Sequence, residues 1–336
     1  MSTKKRTLAT LAGITAAALT FAGCSASSSS PSDQASTADD QASAEVAELA
    51  VGITPIANAA HVYIALDQGF FADENLEVSP TIIQTPTTAV PSLLNDELQV
   101  ALMTSVPIVT AASKSLPIRV VAGSDRYPTD GAQDTTALVA APDSGVSAVA
   151  DLTGKTVALV GLKSAPELAL RVVLQEAGVN PADVEVVEIA YPDMVSALQS
   201  NRVDAAFIVD PFLSAAQADG LEVVSKPFTE GLGGMSALQW VMSDAFVKAN
   251  PEVAARFAAA IQRAGEYAND NPDAVRAVLP EFTALSPEAI EASILPVYDT
   301  TVTDADLQAY VDLMIREGFI EDGYDPAGLL WTSSGD

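Results

Sequence analysis

Strand-like and helix-like segments alternate along the chain from residue 47 to residue 230, and this order restricts the fold more than any other feature. Runs rich in Val, Ile and Ala, such as "AELAVGIT" (47–54) and "DAAFIVD" (204–210), are separated by stretches with helical periodicity, such as "SAPELALRVVLQEAG" (164–178). Two such cycles follow one another. Mostly parallel sheets covered by helices on both faces produce this order. The sequence therefore predicts an α/β fold with two lobes.

The C-terminal third has a different pattern. The segments "PEVAARFAAAIQRAGEYAND" (251–270) and "TDADLQAYVDLMIREGFI" (303–320) each place apolar residues on one helical face. Thr303 and Asp306 fit a helix capping box. No strand-like run separates these segments, so we expect helices that pack on the first lobe.

The same pattern predicts where each lobe begins and ends. We place the first part of lobe 1 at residues 47–135 and lobe 2 at 136–230. Residues 231–336 then return to lobe 1 and add the C-terminal helices. Two crossings between lobes, near 124–140 and 225–238, permit the lobes to bend relative to one another without unfolding.

The only cysteine, Cys24, follows a basic start and a short apolar run. This is the layout of a secretory signal peptide, and the run is too short and too rich in small residues for a membrane span. The motif "FAGC" (21–24) resembles the lipobox of bacterial lipoproteins, with Phe21 where Leu is usual. The resemblance implies that residues 1–23 are removed and that Cys24 is acylated. Residues 24–46, dominated by Ser, Ala, Asp and Gln, are expected to form a disordered tether.

Charge and composition limit the partners. The chain has 16 Lys and Arg against 44 Asp and Glu, and loss of residues 1–23 leaves 13 against 44, a net charge of −31. Such a field repels nucleic acid. A chain with no cysteine after Cys24 has no Cys-ligated metal site in its fold, and its single histidine excludes the common His-rich sites. We therefore expect neither a metal nor a cofactor.

Three segments resemble the SsuA/NMT1/THI5-like group of periplasmic substrate-binding proteins. "YIALDQGFFADENLEV" (63–78) matches the group's first signature, and residues 151–189 and 197–212 match its second lobe. The resemblance implies a type II periplasmic-binding-protein fold, whose two lobes are joined by a two-strand hinge. It implies capture of nitrate, a sulfonate, taurine or a thiamine pyrimidine precursor for an ABC importer, with permease and ATPase subunits as partners.

Two other functions use the same lobes. A lipoprotein could present its loaded state to a membrane signalling protein, and a THI5-like enzyme could make a pyrimidine. The enzyme requires a cysteine-rich motif and histidines that this fold lacks, and no Ser/His/Asp or Cys/His nucleophile can be assembled. We therefore expect a monomeric binding protein, anchored by lipid on the extracytoplasmic face of the cell membrane, and not an enzyme.

Ligands of open α/β sheets bind outside the carboxyl ends of the strands. In lobe 1 this rule nominates five polar residues that follow strands: Thr54, Asn58, His61, Thr104 and Ser105. The group commonly has proline where His61 stands, so His61 is either a solute-specific contact or a structural hydrogen-bonding group. The alternative role of Thr104 and Ser105 is to cap the helix that follows.

Lobe 2 offers Ser164, Asp193 and Asp210 in equivalent loops. Ser164 and Glu167 fit a capping box, and the alternative role of the two aspartates is N-capping. Three carboxylates near the rim disfavour a bare anion such as nitrate, and they favour a solute with amine or N–H donors, such as taurine or an aminopyrimidine. Two aromatic residues could either stack on a solute ring or pack in the core: Phe212 and Trp240.

Overall fold

The computed structural model describes residues 45–83, 88–210 and 212–333. The expected signal peptide, Cys24 and nearly all of the tether lie outside these residues. The described strands are β1 (Ala47–Ile53), β2 (Leu76–Ile82), β3 (Val100–Thr104), β4 (Ile118–Arg126), β5 (Thr136–Ala140), β6 (Thr156–Leu159), β7 (Glu185–Glu188), β8 (Ala205–Val209), β9 (Val223–Ser225) and β10 (Ser236–Ser243).

The described helices follow the expected alternation and then accumulate toward the C-terminus. They are α1 (Ala60–Asp67), α2 (Phe70–Asp73), α3 (Ala89–Leu94), α4 (Ser105–Ser113), α5 (Ala165–Glu176), α6 (Tyr191–Gln199), α7 (Phe212–Ala218), α8 (Pro227–Leu232), α9 (Asp244–Ala249), α10 (Pro251–Asp270), α11 (Pro272–Phe282), α12 (Pro287–Ala292) and α13 (Asp304–Arg316). In the part of the chain that the structure describes, no helix combines the length and apolar character needed to cross a bilayer.

The strands form two five-stranded sheets, one in each lobe. The order in the first sheet is β2-β1-β3-β10-β4, and β10 is antiparallel to both of its neighbours. The order in the second sheet is β7-β6-β8-β5-β9, and β5 is the antiparallel strand. In both sheets the antiparallel strand is the one that the chain enters after crossing from the other lobe. Both sheets are therefore mostly parallel, as expected.

The two crossing segments are paired through their backbones. The N–H of Tyr127 donates to the carbonyl of Met235 over 3.0 Å, and the N–H of Gly234 donates to the carbonyl of Tyr127 over 2.9 Å. The Tyr127 ring also stacks on Phe228 of α8, with 4.3 Å between ring centroids. These contacts form a two-strand hinge between the sheets.

Asp134 ties the two crossings together on the lobe 2 side. One carboxylate oxygen accepts from the backbone and hydroxyl of Thr136, and the other accepts from the backbone and hydroxyl of Thr229. Lys226 also donates to the Asp134 carbonyl over 2.6 Å. Because the carboxylate is buried and fully bonded, it fixes the spacing of both segments where they enter lobe 2.

The C-terminal helices pack on the first sheet, as the sequence predicts. Helix α10 contacts α1 and β4, and α13 contacts α4. The side chain of Phe257 in α10 stacks on Phe71 and meets the edge of Trp240, and all three are buried. Trp240 is therefore part of the lobe 1 core. The predicted capping box at the start of α13 is also present, since Thr303 and Asp306 each accept the other's backbone N–H.

Candidate functional site

The polar residues predicted for lobe 1 lie at the carboxyl edge of the first sheet. Thr54 directly follows β1, and Thr104 ends β3. Strand β10 runs between β3 and β4, so that Leu238 is the register partner of both Thr104 and Asp125. Thr54, Asn58 and Thr104 are half-buried. We call this edge the lobe 1 rim, and define it by Thr54, Asn58, Thr104 and Asp125.

Ser105 lies beneath the lobe 1 rim in a network of polar groups. Its hydroxyl donates to the carbonyl of Ser236 over 2.9 Å and accepts from Gln239 Nε2 over 2.8 Å. The Tyr310 hydroxyl donates to the same Ser236 carbonyl over 2.8 Å. Thr104 is the N-cap residue of α4 but makes no side-chain cap bond. Ser105, at 1% exposure, therefore joins β10 to α4, and Tyr310 joins β10 to α13. Contact of Ser105 with a solute stays a prediction.

His61 is fully buried between aromatic rings. Its Nε2 accepts from Trp240 Nε1 over 3.1 Å, and the ring meets Tyr298 edge-on at 4.9 Å. Burial lowers the pKa of His61 to about 3, so the imidazole is neutral. Because Nε2 accepts, the ring proton is on Nδ1. In this conformation His61 is a core hydrogen-bonding group, and its contact with a solute stays a prediction.

Asp125 is the rim residue that sequence reasoning missed. Its carboxylate is 3% exposed and accepts from Asn58 Nδ2 and from the backbone N–H of Leu238. Burial raises the pKa of Asp125 to about 7. No Lys or Arg among the described residues pairs with it, because Arg126 turns away to Asp299 and Asp306 at 2.7 Å each. A charged residue at the end of an apolar strand was the signal available in "VVAGSDR".

At the start of α5 the predicted capping box is wrong. The Ser164 hydroxyl donates back to the Gly161 carbonyl over 2.6 Å and makes no cap bond. Glu167 instead accepts from the backbone N–H of Lys163 and pairs with Arg171 at 2.7 Å. Arg171 lies one turn further along the same helical face, so it can pair with this carboxylate. Glu167 is therefore neutralised and buried, and it does not contribute an unpaired charge.

The two aspartates of lobe 2 differ. Ala190 is the N-cap of α6, so a capping role for Asp193 is wrong, and its side chain is exposed in the first turn without a cap bond. Asp210 accepts from the backbone N–H and the hydroxyl of Ser214 over 3.0 and 2.6 Å. This pair of bonds holds the first turn of α7. We define the lobe 2 rim by Ser164, Asp193 and Asp210.

An aromatic pair accompanies these aspartates. Tyr191 begins α6 and Phe212 begins α7, and their half-buried rings are stacked with centroids 6.4 Å apart and planes within 15°. Burial raises the pKa of the Tyr191 hydroxyl, so it stays protonated. Tyr191 was not singled out in the sequence, although it directly precedes the Pro-Asp of "YPDM". The Tyr191–Phe212 pair therefore forms an apolar surface where α6 and α7 begin.

The lobes touch where α5 meets the segment after α13. Gln175 Nε2 donates to Glu317 Oε2 over 2.7 Å, and Lys163 Nζ donates to the Gly318 carbonyl over 3.3 Å. Lys163 also lies 4.5 Å from the centroid of the Phe319 ring. Side chains of lobe 2 thus bind the chain segment that leaves α13, and α13 packs on lobe 1.

Neither of two surface cavities coincides with the rims. One, of about 380 Å³, lies beside the start of α13, and the other, of about 360 Å³, lies along α5 between Leu162 and Leu174. Within residues 45–83, 88–210 and 212–333, no cluster of three or more His, Cys, Asp or Glu side chains is arranged to hold a metal ion. The rims can offer hydrogen bonds and charge, and the aromatic pair can offer a stacking surface.

Comparisons with known proteins agree with this fold. The family model described as NMT1/THI5 like matches residues 56–275. A formylaminopyrimidine-binding protein from Halalkalibacterium halodurans is 25% identical over 251 residues, which cover 73% of each chain. A taurine-binding periplasmic protein from Escherichia coli is 26% identical over 208 residues, 62% of each chain. The periplasmic aliphatic sulphonate binding protein SsuA from Escherichia coli superposes with a TM-score of 0.71 at 18% identity, covering 85% of this chain and 97% of that one.

The family model covers well over half of the chain, and the described lobes have the fold of these binding proteins. The resemblance in the sequence and the two-sheet topology lead to the same assignment. The chain belongs to the NMT1/THI5-like family, as an extracytoplasmic solute-binding protein.

Proposed function

We propose that this protein is the lipid-anchored solute-binding component of an ABC importer, and that it captures its solute between the lobes by hinge closure. The observation that carries the proposal is the paired crossing at Tyr127, Gly234 and Met235, which joins two sheets whose strand ends bear polar residues. A solute that touches both rims at once favours the closed form, because only differential affinity shifts a conformational equilibrium. Permease and ATPase subunits are the expected partners.

The proposed solute contacts are the half-buried or exposed members of the two rims. In lobe 1 these are Thr54, Asn58 and Thr104, and in lobe 2 they are Ser164, Asp193 and Asp210. His61 and Ser105 are buried one layer below, and their contact with a solute stays a prediction. Ser105 holds β10 against α4, and His61 holds Trp240 and Tyr298 under the turn that carries Asn58.

The solute we propose is a small molecule with N–H donors, such as an aminopyrimidine, or taurine, whose amine is the donor. Asp193 is an exposed acceptor on lobe 2, and Tyr191 with Phe212 offers a surface on which a ring can stack. Two relatives are named for solutes of this kind, formylaminopyrimidine and taurine. The aromatic pair favours the aminopyrimidine of the two.

A thermal-shift screen tests the solute class. A ligand that binds only the native state raises the melting temperature, so an aminopyrimidine and taurine should each be compared with nitrate and methanesulfonate. We expect the largest shift with the aminopyrimidine, followed by calorimetric titration of the strongest hit. A shift produced only by nitrate or methanesulfonate would contradict the proposed class.

The anchor is proposed from Cys24 and the segment before it. Mass spectrometry of the N-terminus after membrane fractionation should find Cys24 acylated and residues 1–23 absent. The Cys24→Ala variant should lose the acyl chains and leave the membrane fraction. An unacylated mature chain that begins at another residue would contradict the anchor without affecting the proposed solute.

We also propose that the protein binds its solute without transforming it. The single histidine of the chain is buried and neutral in the core, and it is therefore not placed to act as a base on a solute. Incubation of the protein with its best-binding solute should return that solute unchanged by chromatography. Turnover that scales with protein concentration would contradict a purely binding role.

A further inference from the structure

The side-chain amide of Asn58 faces the buried carboxylate of Asp125. Asn58 lies in the short helical turn 57–59 after β1, and its Nδ2 donates to Asp125 Oδ2. The same turn is held from two other sides. The Tyr298 hydroxyl donates to the carbonyl of Ala57 over 2.7 Å, and the Ser124 hydroxyl approaches the carbonyl of Asn58 at 3.4 Å. The turn therefore has a fixed position relative to β4.

The chemistry of the pair fixes which way the amide points. An ionised carboxylate can only accept hydrogen bonds, whereas an amide has one accepting and one donating end. When Asp125 is ionised, the nitrogen of Asn58 must therefore face it, and Oδ1 points away from it. No donor among the described residues reaches Oδ1 of this half-buried side chain. The amide oxygen is left as an acceptor at the lobe 1 rim.

Asp125 is itself held in place. The backbone N–H of Leu238 donates to Asp125 Oδ1 over 3.2 Å. Because the carboxylate is buried, water does not compete with Asn58 for Oδ2. The described residues supply it no cation, because Arg126 is engaged with Asp299 and Asp306. The carboxylate can thus direct the Asn58 amide without being turned by a salt bridge.

We infer that Asp125 is a positioning residue that determines solute specificity, because it orients Asn58 so that lobe 1 offers an acceptor, and not a donor, to the solute. The inference rests on the proposed function, in which Asn58 is a solute contact. It deepens the proposed solute class. A solute with an N–H group satisfies Asn58 Oδ1, whereas a sulfonate or nitrate oxygen would meet another acceptor and leave both unsatisfied.

The Asp125→Asn variant tests the inference at pH 8, where the wild-type carboxyl is ionised. An asparagine at 125 can donate to Asn58 Oδ1, so the Asn58 amide is free to reverse and offer Nδ2 at the rim. We expect affinity for 4-aminopyrimidine to fall about tenfold, which is the loss of one good hydrogen bond. Affinity for methanesulfonate should rise, so that the ratio of the two dissociation constants changes in favour of the anion.

A double-mutant cycle separates orientation from simple loss of negative charge. In an Asn58→Ala background there is no amide to reverse, so Asp125→Asn should no longer change the affinity ratio. An electrostatic effect of Asp125 alone would persist in that background and would overturn the inference. A lowering of both affinities by the same factor, as a purely structural role predicts, would also overturn it.

A measurement without solute checks the orientation directly. The side-chain NH₂ resonances of Asn58 in a ¹⁵N-labelled sample should be protected from exchange with water in the wild type and lose that protection in Asp125→Asn. Unprotected resonances in the wild type would overturn the inference. If the wild type binds methanesulfonate but not 4-aminopyrimidine or taurine, the proposed solute class fails, and this inference fails with it. An unchanged ratio in Asp125→Asn, with the wild type binding as proposed, overturns this inference alone.

Discussion

The two rims are built differently. On lobe 1, Asp125 at the rim binds both Asn58 and Leu238, and Ser105 beneath the rim binds residues of β10, so these groups bond across the fold. On lobe 2 the polar groups bond within their own turn, or make no cap bond. Ser164 donates to Gly161 three residues earlier, Asp210 accepts from Ser214 four residues later, and Asp193 is exposed.

This difference indicates that the lobe 1 side of the site is preorganised and the lobe 2 side is not. Groups that bond across elements are fixed before the solute arrives, and their loss disturbs the fold as well as the site. Groups that bond locally or face water can reorient at small energetic expense, and their loss should affect affinity alone. We therefore expect stability and affinity to respond separately on the two lobes.

The largest expected effect is on stability and comes from lobe 1. Trp240 is fully buried, donates to His61 and packs against Phe257, so Trp240→Ala should lower the free energy of unfolding by about 3–5 kcal/mol. The matched change on lobe 2 is Phe212→Ala. Its ring is half-buried in one stacked pair, so we expect a loss of about 1 kcal/mol. Urea denaturation measures both, and equal losses would remove this distinction between the two lobes.

A second test uses the opposite pH dependences of two lobe 1 groups. Native Asp125, with a pKa of about 7, keeps a proton that the unfolded chain releases near 3.8, so its contribution to stability falls as pH rises between these values. His61, with a pKa of about 3 against 6.5 when unfolded, does the reverse, and its contribution rises with pH. The two effects oppose each other in the wild type.

Removing either group should reveal the pH dependence of stability that the other group causes. Relative to wild type, Asp125→Asn should gain stability by about 1.4 kcal/mol for each pH unit between the two pKa values of Asp125. His61→Leu should lose stability with the opposite slope, because the contribution that rises with pH is gone. Denaturation curves from about pH 4.5 to 6.5 measure this. Profiles that run parallel to the wild type would show that these groups do not titrate as their burial requires.

Substitutions at the lobe 2 rim should change the affinity for the solute more than they change stability. Asp193→Asn and Asp210→Asn remove a charged acceptor from the rim, and we expect at least one of them to weaken binding of an N–H-rich solute roughly ten- to hundredfold, or about 1.5–3 kcal/mol. Asparagine can still accept the Ser214 bonds at position 210, so stability should change little. Calorimetric titration measures the affinities. Tighter binding in both variants would identify a bare anion as the solute.

The smallest effect is expected at Ser164. Its hydroxyl donates only within its own turn and caps no helix, so Ser164→Ala should change the free energy of unfolding by less than about 0.5 kcal/mol. Thr303→Ala is the control, because Thr303 is a true N-cap and should lose about 1 kcal/mol. Equal losses in the two variants would mean that Ser164 has a capping role after all.

Periodicity was sufficient to predict the α/β fold because most strands and helices up to residue 230 follow their own apolar pattern. Strand β10 was not predicted from the sequence. Its segment "SALQWVMS" (236–243) contains Gln239 and two serines where an alternating or apolar run is expected. Gln239 donates to Ser236 within the strand and to Ser105, 134 residues earlier in the chain. A partner that distant has no signature in local sequence.

The site was predicted less completely for the same reason. A capping box is a local motif, and it is present at Thr303 even though Arg126 also pairs with Asp306. It is absent at Ser164, where the hydroxyl donates to the Gly161 carbonyl and Glu167 accepts from the backbone of Lys163 and pairs with Arg171. Asp125 was missed because its partner Asn58 lies 67 residues earlier in the chain, so that only the fold brings the two together. The positions of loops could be predicted, but their hydrogen-bond partners could not.

We propose that the two lobes close on a solute held between their rims. Small-angle scattering tests it most directly, with the wild type and Asp193→Asn each measured with and without the strongest solute from the thermal-shift screen. We predict a smaller radius of gyration for the wild type at saturation, and a smaller change for Asp193→Asn at the same solute concentration. A radius of gyration that stays unchanged in the wild type, at a solute concentration where calorimetry shows full occupancy, would contradict hinge closure.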